Sequence, residues 1–129
     1  MLLGHGIDLV PTDRIARMLE RHGETFRLRC FTPGERADCE RNPKRRAEHY
    51  AARFAAKEAV LKALGTGWSQ GITWQDVAVT RDAQGRPGVA LTGRAAEFAA
   101  AQGIDHWLLS LSHVEAYAIA SAIAVGREP

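Results

Sequence analysis

The sequence predicts an α+β fold with a largely antiparallel sheet. Three observations predict it. The first half carries apolar residues at helical spacing, in stretches interrupted by Pro33 and by Asn42-Pro43. The second half changes to alternating patterns of period two, as half-buried strands require. The whole chain has 129 residues with no internal repeat or linker, which predicts one domain, 1–129, able to bury a core without staples.

Each element has its own signal. Leu2 to Val10 reads as a first strand with Gly4 and Gly6 near its start. Pro11-Thr12-Asp13 marks a helix start, with Thr12 or Asp13 as N-cap. Ile15, Met18, Leu19 and Phe26 form the apolar stripe of that helix, and Arg14, Arg17 and Arg21 lie on a neighbouring stripe. Phe31-Thr32-Pro33-Gly34-Glu35 is a break that opens a second, short helix. A long helix is expected from about Lys44 to Leu64, with Tyr50, Ala51, Phe54, Ala55, Leu61 and Leu64 on its apolar side. Gly65-Thr66-Gly67 ends it.

Beyond that point, Thr73 to Thr80 alternates as a strand, Asp82 to Gly85 is a turn, and Gly88 to Leu91 resumes a strand. Arg94 to Gln102 is an alanine-rich helix closed by Gly103. Trp107 to His113 and Tyr117 to Val125 read as a closing hairpin.

Charge is unevenly spread. Residues 1–64 hold 13 Lys/Arg against 9 Asp/Glu, and residues 65–129 hold 4 against 6. The total of +2 argues against a general nucleic-acid binder, and no apolar run approaches the ~18 residues of a membrane span. The N-terminus lacks a basic region, so no signal peptide is expected. Cys30 and Cys39 show neither CxxC spacing nor a paired framework, which predicts reduced thiols in a cytoplasmic protein, without zinc.

A few residues stand out from this frame. Glu58 falls among Ala51, Phe54, Ala55 and Leu61 on the expected apolar side of the long helix, with Lys62 one turn later. A solvated Glu58–Lys62 pair is one reading. The other is a buried carboxylate, which needs a partner or a metal. Asp8 interrupts the apolar strand Ile7-Asp8-Leu9-Val10, as a strand-end cap or as a carboxylate projecting from a rigid strand. Two such carboxylates, completed by substrate phosphates, make a typical Mg²⁺ site. His113 stands next to Ser112 on a strand, so the two point to opposite faces and form no catalytic dyad. Lys44-Arg45-Arg46 with Arg53 is either a phosphate site or a solvated face.

Several segments together resemble one family. Gly6-Ile7-Asp8 matches its first motif, and Arg53 to Gly67, RFAAKEAVLKALGTG, matches its long and specific central one. Phe31-Thr32-x-x-Glu35, Gly85-Arg86-Pro87 and Ser110-Leu111-Ser112-His113 match in order. The chain resembles holo-[acyl-carrier-protein] synthase, the short bacterial type of 4'-phosphopantetheinyl transferase, over essentially its whole length.

The resemblance implies an α+β subunit in a homotrimer whose active sites lie between neighbouring subunits. It implies Mg²⁺-dependent transfer of 4'-phosphopantetheine from coenzyme A to a serine of apo acyl carrier protein, releasing adenosine 3',5'-bisphosphate, in fatty acid biosynthesis. Asp8 and Glu58 would hold the Mg²⁺, and Glu58 would accept the serine proton, directly or through a bound water. Lys62 would neutralise phosphate charge, and the backbone around Gly65 would approach the ligand. Arg53, Pro87 and His113 would line the nucleotide end with Lys44 or Arg45, His113 coming from the adjacent subunit. Arg14, Met18 and Arg21 would form the docking helix for the acidic carrier. A non-catalytic module that binds an acidic helical partner through the arginine stripe is the alternative, although it gives Asp8, Glu58 and Lys62 no joint role.

Overall fold

The computed structural model describes residues 1–127. The chain begins with strand β1 (Leu2–Pro11) and helix α1 (Thr12–Cys30), followed by the short helix α2 (Pro33–Glu40). A 3-10 turn over Pro43–Arg45 leads into the long helix α3 (Arg46–Leu64). A second 3-10 turn, Trp74–Asp76, precedes the hairpin of β2 (Val77–Arg81) and β3 (Pro87–Leu91). Helix α4 (Gly93–Ala101) and strands β4 (Ile104–His113) and β5 (Tyr117–Gly126) complete the order. All strand pairs are antiparallel, in one sheet of order β1-β5-β4 and one of β2-β3. The expected α+β class is the one observed.

α3 is the axis of the molecule. Ala51, Ala52, Ala55, Ala56 and Ala59 are fully buried, as are Tyr50 and Val60, so the helix is covered on nearly all sides rather than on the one side expected. β1 and β5 cover one side, while α1, α2 and β2 cover others. Small residues set the distance between helix and sheet. β5 turns Ala118, Ala120, Ala122 and Ala124 inward, and β1 turns Gly4 and Gly6 toward the helix. A Cβ at Gly4 would meet the carbonyl oxygen of Ala63, and one at Gly6 that of Ala59.

Glu35 ties the second layer down. Its backbone N–H donates to Thr32 Oγ1 at 3.2 Å while its Oε1 accepts from the Thr32 N–H at 2.7 Å, a reciprocal cap that starts α2. The same buried carboxylate accepts from the Val79 N–H of β2 at 2.6 Å and pairs with Lys57 of α3 at 2.7 Å. Lys57 also donates to the Trp74 carbonyl at 3.0 Å, so a fully buried ion pair has its hydrogen bonds supplied by three elements.

Local details differ from expectation in instructive ways. α3 starts at Arg46, because Pro43 opens a 3-10 turn first. Thr73 to Asp76 form a capped turn and not a strand, with the Thr73 N–H donating to Asp76 Oδ2 at 3.1 Å. Pro11 occupies the N-cap of α1, with Thr12 already helical, so neither Thr12 nor Asp13 caps it. α1 is kinked at Gly23, which has φ 39° and ψ −115°. β4 starts at Ile104, before the expected Trp107.

The opposite face of the three-stranded sheet is open. It displays Ile7 and Leu9 from β1, Leu108 from β4, and Tyr117 and Ile119 from β5, most of them about half exposed. His5 lies on this face, where its Nε2 meets Ser121 Oγ at 3.1 Å, away from the side that carries Asp8.

Candidate active site

The packing of β1 on α3 brings the first motif to the central one. β1 runs antiparallel to α3, with Gly4 against Ala63 and Gly6 against Ala59. Two strand residues advance ~7 Å and four helical residues ~6 Å, so the next inward residue, Asp8, reaches the level of the turn that ends at Glu58. Helical side chains lean toward the N-terminus, and Lys62 uses that lean. Its ammonium donates to Asp8 Oδ1 at 3.1 Å and to the Ile7 carbonyl at 2.9 Å. The Asp8 side chain is 16% exposed, and Glu58 is partly buried.

The expected choice for Glu58 was a Lys62 partner or a buried role. The structure gives Lys62 to Asp8, and Glu58 Oε1 instead accepts from Trp68 Nε1–H at 3.3 Å. No signal in the sequence pointed to Trp68. Gly65 closes α3 in the left-handed conformation, φ 82°, its N–H donating to the Leu61 and Lys62 carbonyls.

A second cluster gathers at the other end of α3. His113, the last residue of β4, meets Glu48 Oε1 through Nδ1 at 2.5 Å, and Arg45 donates to both oxygens of Glu48 at 2.7 and 3.3 Å. Hydrogen bonds from Arg45 and then His113 hold the Glu48 carboxyl down to about 2. The His49 ring lies 5.1 Å from His113, and burial, with the charge of His113, lowers the pKa of His49. Arg53 is buried, with Nη2 4.0 Å from Asp38 and Nη1 without a partner. It lines a cavity of about 430 Å³ together with Asp38, Arg41, His49 and Arg81. Arg46 is engaged by Glu40 at 2.8 and 3.0 Å, leaving the exposed Lys44 as the freer cation of the basic run. Pro87 opens β3 opposite Arg81, next to the hairpin turn whose Gly85 borders the same cavity.

The anticipated site residues therefore fall into two groups. Asp8, Glu58, Lys62 and Gly65 stand at one end of α3. Arg45, Arg53 and His113, with Pro87 beyond, stand toward the other. Glu48 precedes Glu58 by ten residues, about 15 Å along the helix, so a single chain does not place His113 beside Glu58. On α1, Arg14 and Arg21 are exposed and Met18 is half-buried beside a groove lined by Phe26, Phe54 and Trp74. The Arg14 guanidinium lies over the Phe54 ring at 5.5 Å.

A family model of the 4'-phosphopantetheinyl transferase superfamily matches residues 4–122. The chain belongs to that superfamily. It is 56% identical to a holo-[acyl-carrier-protein] synthase of Desulforudis audaxviator, over 98% of this chain and 95% of the relative. Within the superfamily it is thus of the holo-[acyl-carrier-protein] synthase type. The crystal structure of the synthase from Neisseria meningitidis superposes with a TM-score of 0.87 at 33% identity, covering 97% of this chain and 99% of that one. The Bacillus anthracis synthase, crystallised in complex with CoA (3',5'-ADP), gives a TM-score of 0.81 at 31% identity, with 98% and 99% covered. The family, the enzyme class and the fold expected from the resemblance are all those found.

Proposed function

We propose that the chain transfers 4'-phosphopantetheine from coenzyme A to a serine of apo acyl carrier protein, as a cytoplasmic enzyme of fatty acid biosynthesis. The observation that carries the reading is the β1–α3 contact, which sets Asp8 and Lys62 3.1 Å apart one turn from Glu58 in a chain of this family. The serine Oγ attacks the phosphorus that bears the pantetheine. The bond from that phosphorus to the bridging oxygen breaks, and adenosine 3',5'-bisphosphate departs. Glu58 takes the serine proton. Lys62 leaves or shares Asp8 to neutralise the pyrophosphate, and positioning and charge supply most of the acceleration.

Asp8 and Glu58 fit a Mg²⁺ ion. Both are hard oxygen donors at the edge of the core, and Asp8 already attracts the ammonium of Lys62. The ion would add positive charge against the phosphates. The Arg53 cavity suits the nucleotide end, since its buried guanidinium keeps an unpaired N–H.

The separation of His113 from Glu58 along α3 supports a homotrimer in which His113 of one subunit faces Glu58 of the next. The open apolar sheet face supplies a surface for that assembly. Arg14, Met18 and Arg21 would receive the acidic carrier. Free, buried Cys30 and Cys39 suit a reducing compartment, and among the described residues no helix is long and apolar enough to cross a membrane. The non-catalytic alternative has no support, because it leaves the Asp8–Lys62–Glu58 arrangement without a role.

The test is intact-mass spectrometry of an apo acyl carrier protein incubated with the chain, coenzyme A and Mg²⁺. A gain of one phosphopantetheine, abolished by chelator, is expected. No gain across several apo carriers from folded protein would refute the reading.

A further inference from the structure

Glu58 is held by a residue outside every motif of the family resemblance. Trp68 lies in the loop between α3 and the Trp74–Asp76 turn, and its indole N–H reaches Glu58 Oε1 at 3.3 Å. The ring is itself fixed. Its centroid is 3.8 Å from that of Trp74, and Trp74 stacks on Phe54 at 4.9 Å with an interplanar angle of 28°. Phe54 precedes Glu58 by one turn of α3, so the contacts form a closed circuit from the helix, through three rings, back to the helix.

The loop that carries Trp68 is rich in left-handed backbone. Gly65, Gly67, Gln70 and Gly71 all have positive φ, and Gln70 is the one non-glycine residue so placed among the described residues. Arg94 also reaches the loop, donating to the Gln70 carbonyl at 3.0 Å, and Ile72 anchors its far end in the core.

We propose that Trp68 is a positioning residue for the transfer, its indole N–H fixing one oxygen of Glu58 and leaving the other toward the incoming serine. The inference rests on Glu58 as proton acceptor. The donor type suits the task. Indole N–H donates only and carries no charge, so it orients a carboxylate without cancelling the negative charge a divalent cation requires. Lys62 holds Asp8 by charge, and Trp68 holds Glu58 by geometry. Without the N–H, the terminal carboxylate torsion of Glu58 is broad and poorly defined.

Trp68→Phe keeps a ring to stack on Trp74 and removes the N–H. The expected result is a kcat lower by about tenfold, with KM for coenzyme A and for the carrier within about twofold and the melting temperature retained. A second readout does not depend on turnover. The indole ¹H–¹⁵N signal of Trp68, assigned in the wild type through its contacts with the Trp74 ring, should move in Glu58→Gln and stay in place in Asp8→Asn. Wild-type kcat in Trp68→Phe, with Glu58→Gln inactive, overturns this inference alone. Full activity of Glu58→Gln overturns the reading of Glu58 and this inference with it. A Trp68→Phe variant that loses melting temperature and both KM values together marks a structural role and also overturns it. Should that variant fail to fold, the indole signal decides: movement in Glu58→Gln supports the proposal, and an unmoved signal refutes it.

Discussion

Glu48 shows how much a single side chain organises. It joins the first turn of α3 to the end of β4 by accepting from Arg45 and from His113. A carboxyl held at about 2 in the folded chain, against about 4.3 when unfolded, contributes stability that is present above the unfolded value. That contribution is lost as pH falls through about 2. Urea midpoints measured from pH 6 to pH 2 should therefore fall less steeply in Glu48→Gln than in the wild type. Equal slopes would mean that the contact does not persist in solution. At this scale Asp8, Glu58 and Lys62 were legible because each is polar where its neighbours are apolar. Glu48 was not, since an acid in the first turn of a helix is ordinary. Trp68 was not, since nothing local says what an indole in a glycine-rich loop will touch.

At the scale of elements, the contact between β1 and α3 brings the residues of the proposed site together. Gly6 permits it, because a Cβ there would press on the Ala59 carbonyl and lie 2.8 Å from the Ala63 nitrogen. Gly6→Ala should cost about 3 kcal/mol by urea unfolding, at the upper end for an overpacked core. It should also depress kcat in the fraction that remains folded, because α3 must shift from Asp8. A variant with wild-type stability would show that the helix can retreat without strain. Period and punctuation made most elements readable in advance. The structure departs from the sequence pattern where side chains cap a turn, as at Thr73–Asp76, or where proline enters first, as at Pro11 and Pro43. The burial of α3 all round was illegible for a different reason: alanine marks no face, and only the packing of β1, β5, α1, α2 and β2 around the helix reveals it.

At the scale of the whole molecule, two features of the single chain bear on the proposed homotrimer. The chain leaves the apolar face of its main sheet open, and it sets the two groups of site residues apart along α3. Assembly through the sheet would address both. Ile119, central on that face between Leu9 and Ser112, is the place to test it. Ile119→Lys should run as a monomer by light scattering and lose transfer, whereas a fully active monomer would contradict sites shared between subunits. Neither oligomerisation nor this division of labour can be read from periodicity. The resemblance implies them, and the open sheet face and the spacing of the two groups along α3 are consistent with the proposal.

The measurement closest to the centre of the account is phosphopantetheine transfer by Asp8→Asn and by Glu58→Gln, each first shown to be folded and assembled like the wild type. With apo carrier, coenzyme A and Mg²⁺, intact-mass spectra should show holo carrier from the wild type and apo carrier alone from either variant. Holo carrier formed at the wild-type rate by either one would contradict the assignment of the reaction to the β1–α3 contact.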